Sequence, residues 1–114
     1  PTSGTNMDTS TLADVNIRGA AQRLIEKRLR RNSENLKQLQ NELTLLDEQL
    51  DALRDDANDK EMRSLVSETP LALHEYRDAQ KHVEALLEHR DFLLRSIAEQ
   101  TRNQDELLDR LGKS

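Results

Sequence analysis

Leucine recurs in a regular pattern that dominates the first half of this chain. Spacings of three and four residues alternate from Leu29 to Leu53, and only Asn32 interrupts them. Such a repeat falls on one narrow stripe of an α-helix and is typical of a helix that packs along another helix. The pattern therefore predicts helix–helix assembly rather than catalysis. The predicted seam positions of this first helix are Leu29, Leu36, Leu39, Leu43, Leu46, Leu50 and Leu53.

Composition supports an all-α domain with solvated outer faces. Apolar and charged residues each make up 34% of the 114 residues, and the aromatic residues are Tyr76 and Phe92 alone. A compact globule of this length normally holds more apolar mass. The sequence has no cysteine, which excludes a disulfide framework. It also lacks an apolar run of about 20 residues and a signal-peptide core, so we expect no membrane span and a cytoplasmic or nuclear location.

Local signals divide the chain into a disordered tail and one helical hairpin domain. Residues 1–10 are small and polar, and we expect them to be disordered. The hairpin domain covers residues 11–111, with a first helix over 11–55 and a connection over 56–69 rich in turn-favouring acids. A short third helix over residues 60–68 is an alternative within that connection. Thr69 as N-cap and Pro70 at the first helical position predict a second helix over 70–111.

The second helix carries its own seam and an additional leucine row. A hairpin of two antiparallel helices leaves the additional row without a partner inside one chain. We therefore predict an antiparallel coiled-coil hairpin that associates into a dimeric bundle. The seam centres on Val83, Leu86, Leu93 and Ile97, and the row, predicted to be a partner or dimer surface, is Leu73, Leu87, Leu94 and Leu108.

The predicted register sets Leu50 beside Tyr76 and Leu29 beside Ile97, with Arg90 close to Leu36. Polar residues interrupt both seams, at Asn32 in the first helix and at Arg90 in the second. A polar seam residue costs stability but can fix the register of a coiled coil. We interpret these interruptions as candidates for that role.

Charge is distributed unevenly along the first helix. The net charge of −5 disfavours general nucleic-acid binding, although residues 18–37 are rich in arginine and lysine. Arg28 and Arg31 in this stretch are candidate partner-binding residues. Residues 42–61 are mostly acidic. Asp47, Asp51 and Asp55 recur every four residues there, which indicates either a solvated face or an acidic stripe for a basic partner.

Chemistry-bearing residues form no recognisable catalytic or metal motif. The histidines His74, His82 and His89 are eight and seven residues apart, whereas two zinc ligands on one helix need three or four. A glycine-rich phosphate loop and a paired nucleophile and base are absent. The sequence thus predicts a non-enzymatic protein without a cofactor. The segment Arg30-Arg31-Asn32-Ser33 resembles a basophilic-kinase site, which makes Ser33 a candidate phosphosite or part of a charged face.

The basic stretch before the leucines also permits a DNA-binding alternative. Its arginines precede seven-spaced leucines, as in a basic-region leucine zipper. Gly19 and Glu26 depart from that pattern, and Leu24 makes the segment amphipathic. A second long helix would also compete for the zipper seam, which disfavours nucleic acid as a partner.

The layout resembles the antiparallel coiled-coil hairpins of Rho-family effectors. The segment Glu26–Leu36 is similar to the basic first helix of homology-region-one repeats, and Pro70–Glu99 is similar to their second helix. The stretch Leu46–Ile97 can be laid beside part of the second Shroom domain, a coiled coil that binds Rho kinase. These resemblances imply GTPase or cytoskeletal signalling. We therefore expect an adaptor or effector module for a small GTPase, a cytoskeletal protein or a trafficking assembly, with a self-associating scaffold as the alternative.

Overall fold

A computed structural model describes the backbone of residues 2–113 and the side chains of residues 13–113. It contains two α-helices, α1 over Thr2–Ser67 and α2 over Pro70–Lys113. The fold is all-α, with α1 and α2 packed antiparallel, as the two leucine seams predicted. The chain forms two compact units. The first comprises residues 1–36 and 99–114, and the second comprises residues 37–98.

The first helix is longer at both ends than the sequence predicted. The expected disorder over residues 1–10 is replaced by helical backbone from Thr2, and Pro1 lies outside the described residues. Extending an existing helix costs far less than nucleating a new one, because each added residue gains a hydrogen bond. The helix start near Thr11 is therefore corrected.

The predicted connection over residues 56–69 is also wrong, because only Glu68 and Thr69 are non-helical. Residues 60–67 continue α1 and form no third helix. Ala57 is buried, and Lys60 pairs with Asp56 one turn earlier at 2.9 Å. Packing and this ion pair outweigh the turn preference of the aspartates, which sequence propensity alone overestimates.

The link between the helices is a tight pair of caps. Glu68 has φ of 51°, and its N–H bonds the carbonyl of Ser64 at 3.1 Å, which closes α1 with a left-handed C-terminal residue. Thr69 Oγ1 then accepts the N–H of Ala72 at 3.2 Å. This bond confirms Thr69 as the N-cap of α2, with Pro70 at its first position.

In the second unit, the helix pair buries an apolar seam. The buried side chains there are those of Leu46, Leu50, Ala57, Ala79 and Leu93. Leu93 is the most enclosed, at 1% exposure. Tyr76, which the sequence set beside Leu50, is half-buried on the same stripe of α2 as Ala79.

Candidate protein-interaction surfaces

The seam positions face the space between α1 and α2 in each unit, so they are not surfaces for an outside partner. Leu46, Leu50 and Leu93 are buried. The half-buried members are Leu29, Leu36, Leu39, Leu43, Leu53, Val83, Leu86 and Ile97.

Asn32 forms a polar layer inside the first unit. It is 7% exposed, and its Nδ2 donates to the backbone carbonyl of Gln100 at 2.9 Å and to Oε1 of Gln104 at 3.3 Å. Each such bond contributes about 1 kcal/mol net, and leaving the buried amide unpaired would cost more. These two bonds from Asn32 to α2 tie the two helices to one register in the first unit.

Arg90 forms the corresponding polar contact of the second unit. Its Nε donates to Oδ1 of Asp47 at 2.8 Å. The hydrogen bond with Asp47, and then the negative charge of Asp47, raise the pKa of the Arg90 guanidinium above its usual value. Arg90 thus stays charged at physiological pH.

This contact corrects the predicted register, in which Arg90 lay close to Leu36. Asp47 is about three helical turns further along α1. The error follows from the predicted connection, because ending α1 near Asp55 moves every facing pair. Leucine repeats are nearly interchangeable along a seam, so the position of the turn decides which residues meet.

The acidic stripe divides in the structure. The carboxylate of Asp47 accepts a hydrogen bond from Arg90, whereas Asp51 and Asp55 are exposed. Next to the ion pair lies an open groove of about 380 Å³. Its lining combines apolar and charged side chains, namely Asp47, Leu50, Asp51, Arg54, Leu87 and Arg90.

The additional leucine row is mostly open to solvent. In the second unit, Leu94 is 39% exposed and Leu73 is likewise exposed, while the half-buried Leu87 lines the groove described above. Leu108, in the first unit, is exposed. Large apolar side chains on a solvent face are typical of contact surfaces when they cluster.

Arg28 and Arg31 lie on a groove of about 270 Å³ in the first unit, together with Arg110. Sequence reasoning did not identify Arg110, because its position relative to Arg28 depends on the register. Glu106 is the one carboxylate of this lining, so the groove is cationic and suited to a carboxylate-bearing partner. Asn32, Asn35, Asn103 and Leu107 complete the lining.

Ser33 is exposed on α1, directly after the buried Asn32. A phosphate there would add negative charge beside a polar layer that orders the first unit. Its modification remains a prediction. The kinase-like segment is helical throughout.

Two of the three histidines make contacts within α2. His74 lies 3.3 Å from Asp78, and the ring of His89 stacks on Phe92. Within residues 13–113, no group of three or more potential ligands is arranged to hold a metal ion. In the part of the chain that the structure describes, neither helix has a stretch apolar enough to cross a membrane.

The sequence analysis missed an apolar patch beside the turn in the second unit. Met62, Leu65, Val66 and Leu71 are all exposed, and Val66 reaches 82%. We name these four residues the turn patch. Met62 and Val66 also line an open groove of about 400 Å³ together with Ala72. The same lining includes the basic side chain of Arg63 and the acidic side chain of Glu75. Treating residues 56–69 as a connection concealed this helical surface.

A second apolar stripe lies near the start of α1 in the first unit. Ile17, Ala20, Ala21 and Leu24 follow the i, i+3, i+4, i+7 spacing of one helix face, and all four are exposed. We name them the N-terminal stripe. Between residues 13 and 24, Gly19 alone is half-buried, and the next half-buried residue is Ile25.

In comparisons with known proteins, no family model, curated protein or solved structure matches the chain.

Proposed function

We propose that this chain is a non-enzymatic protein–protein interaction module, an adaptor or effector segment in a cytoskeletal, small-GTPase or trafficking assembly. The observation that supports the proposal is the separation of inner and outer apolar residues. Seam leucines such as Leu46 and Leu50 are buried between α1 and α2, whereas Leu73 and Leu94 are exposed on α2. A rigid helix face that presents leucines is a common way to bind a globular partner.

The cationic groove adds selectivity to this proposal. Arg28, Arg31 and Arg110 line this groove together with a single carboxylate, that of Glu106. A partner that places further carboxylates there gains charge-assisted hydrogen bonds, and arginine is suited to such bidentate contacts. The groove therefore favours an acidic contact segment on the partner.

Binding to small GTPases tests the effector version directly. The chain is titrated against a panel of Rho-family GTPases, each loaded with GDP or with a non-hydrolysable GTP analogue. We expect binding that is selective for the GTP form and at least about tenfold weaker in the R28E/R31E double variant. Arg102→Glu, an exposed arginine outside the groove, is the matched control. Equal binding of both nucleotide forms, or binding unaffected by R28E/R31E, would contradict this version.

A self-associating scaffold is the second candidate, and the exposed leucines of α2 favour it. It predicts oligomers that Leu94→Lys disrupts, while Leu45→Lys, at another exposed leucine, leaves them intact. A basic-region leucine zipper is less favoured, because α2 occupies the α1 seam that a zipper partner would need. Steeply salt-dependent binding to duplex DNA would revive that alternative.

A further inference from the structure

The N-terminal stripe is a helical surface that the described residues 13–113 leave exposed. Residues 13–24 are exposed except for the half-buried Gly19, although α1 is helical across them. A helix that packs against nothing is marginal in water, because most helical stability in proteins comes from burying an apolar face. Ile17 is 67% exposed and Leu24 is 48% exposed. This segment is thus suited to docking on another surface.

The segment is also strongly basic. Between residues 13 and 31 the acidic residues are Asp14 and Glu26. Six basic residues outnumber them, so the stripe is an apolar strip set in positive charge. These basic residues are Arg18, Arg23, Lys27, Arg28, Arg30 and Arg31.

The turn patch has the complementary properties. It is apolar, and it contains the most exposed large hydrophobic side chain of residues 13–113, Val66. Its surroundings are acidic, since the basic residues over 55–78 are Lys60, Arg63 and Arg77, and Lys60 is already paired with Asp56. The acidic residues of the same stretch are Asp55, Asp56, Asp59, Glu61, Glu68, Glu75 and Asp78.

We propose that the N-terminal stripe of one copy docks on the turn patch of a second copy. The contact buries Ile17 and Leu24 against Met62 and Val66 and brings the basic segment to the acidic surroundings of the turn. Because the two surfaces differ, the contact is heterologous and joins copies head to tail. The proposal rests on the scaffold version of the proposed function, and it places the contact between copies at these two surfaces rather than at the leucine row of α2.

Charge favours the contact between a stripe and a patch over a contact between two identical surfaces. Two turn patches placed together would oppose acid to acid, and two N-terminal stripes would oppose base to base. Either arrangement is penalised by like-charge repulsion. The head-to-tail contact alone pairs opposite charges while covering both exposed apolar surfaces. Its small apolar area implies a weak, concentration-dependent association.

Complementation between two variants tests the proposal. Val66→Lys adds a positive charge to the turn patch, and Leu24→Glu adds a negative charge to the N-terminal stripe. Each variant keeps one intact surface. Both residues are exposed, so the helical fold should persist, and circular dichroism verifies this. Leu45→Lys is the matched control, since Leu45 is exposed outside both surfaces.

Sedimentation equilibrium measures the association between about 10 µM and about 1 mM protein, the range expected of a weak interface. The wild type and Leu45→Lys should self-associate. Each of the other variants alone should associate at least about tenfold more weakly. Their mixture should recover association close to that of the wild type, because it combines the two intact surfaces. Raising NaCl from about 0.1 M to about 1 M should weaken the wild-type contact, because the Debye length falls from about 10 Å to about 3 Å.

Other outcomes overturn the inference in distinguishable ways. Self-association of Leu24→Glu or of Val66→Lys alone, at the strength of the wild type, would overturn the proposal, because the copies would then meet through another surface. Adding Leu94→Lys to that variant would show whether this surface is the leucine row of α2. A wild type that stays monomeric throughout overturns the proposal. Because neither variant alters the leucine row of α2, GTPase binding that persists in Val66→Lys would leave the effector version of the proposed function standing.

Discussion

The two units of this chain use opposite chemistry at their most enclosed positions. The second unit encloses leucines and alanines, with Leu93 at 1% exposure, and holds its ion pair of Asp47 and Arg90 at the edge of the seam. Among the described side chains of the first unit, the buried one is the amide of Asn32. Apolar layers supply stability without choosing a register, whereas a polar layer chooses a register at some cost in stability. The two units thus divide these tasks.

The largest expected effect tests the apolar side of this comparison. Leu93→Ala should lower the free energy of unfolding by about 2–4 kcal/mol, because it leaves a cavity in the most enclosed layer. Urea unfolding followed by circular dichroism measures the change. Leu94→Ala, at the next and exposed residue of α2, is the matched control and should cost less than about 1 kcal/mol. Equal losses at the two positions would show that the second unit has no specific apolar core.

The polar side of the comparison depends on Asn32. Asn32→Ala removes both bonds to α2 and should lower the free energy of unfolding by about 1–2 kcal/mol. Asn32→Leu should recover much of this loss through apolar burial, while hydrogen exchange around Gln100 and Gln104 becomes faster because the register is less restricted. Asn35→Ala, an exposed neighbour on the same helix, is the control. An unchanged stability in Asn32→Ala would remove the distinction between the units.

A substitution in the link between α1 and α2 should stabilise the protein, in contrast to the substitutions at Leu93 and Asn32. Glu68→Gly should raise the free energy of unfolding by about 0.5–1 kcal/mol, because φ of 51° strains a residue with a Cβ and suits glycine. Ser67→Gly, in the last helical residue of α1, should instead destabilise the protein. Thermal unfolding of the two variants compares them. A loss of stability in Glu68→Gly would show that the side chain of Glu68 outweighs its backbone strain.

The smallest expected effect concerns the ion pair of Asp47 and Arg90. Asp47→Asn should lower the urea midpoint slightly at low salt, and the difference should shrink at about 1 M NaCl, where charges are screened beyond about 3 Å. The hydrogen bond with Asp47 raises the pKa of Arg90 above its ordinary value, so the charged guanidinium contributes this stabilisation throughout the neutral range and loses it only in strongly alkaline solution. We therefore expect no dependence on pH near neutrality. Asp55→Asn is the exposed control, and an effect that persists in high salt would indicate a role beyond charge.

Local signals identified much of the fold. The heptad spacing of leucines predicted which face of each helix packs inward, and Thr69-Pro70 predicted the start of α2. These features depend on residues close together in the chain, where period and capping chemistry are visible. Arg28 and Arg31 line one groove in the structure, and their role in partner binding stays a prediction; the sequence did not show that Arg110 shares this groove.

The C-terminal part of α1 was missed because its seam changes character. The spacing of three and four continues past Leu53 through Ala57, Lys60 and Ser64, which are buried or half-buried in the structure. Small and polar residues at these positions carry little periodic signal. Continued spacing without glycine or proline was the clue that could have extended the helix and revealed the turn patch.

The sequence by itself determined that this protein is a pair of helices with leucine seams and oppositely charged segments. Only the tertiary structure decided which residues face each other. Asn32 meets Gln104 and Asp47 meets Arg90 because the turn lies at Glu68 and Thr69. A seven-residue repeat matches itself at many offsets of nearly equal apolar burial. Selecting one offset requires the few polar contacts and the single turn that make the others costly.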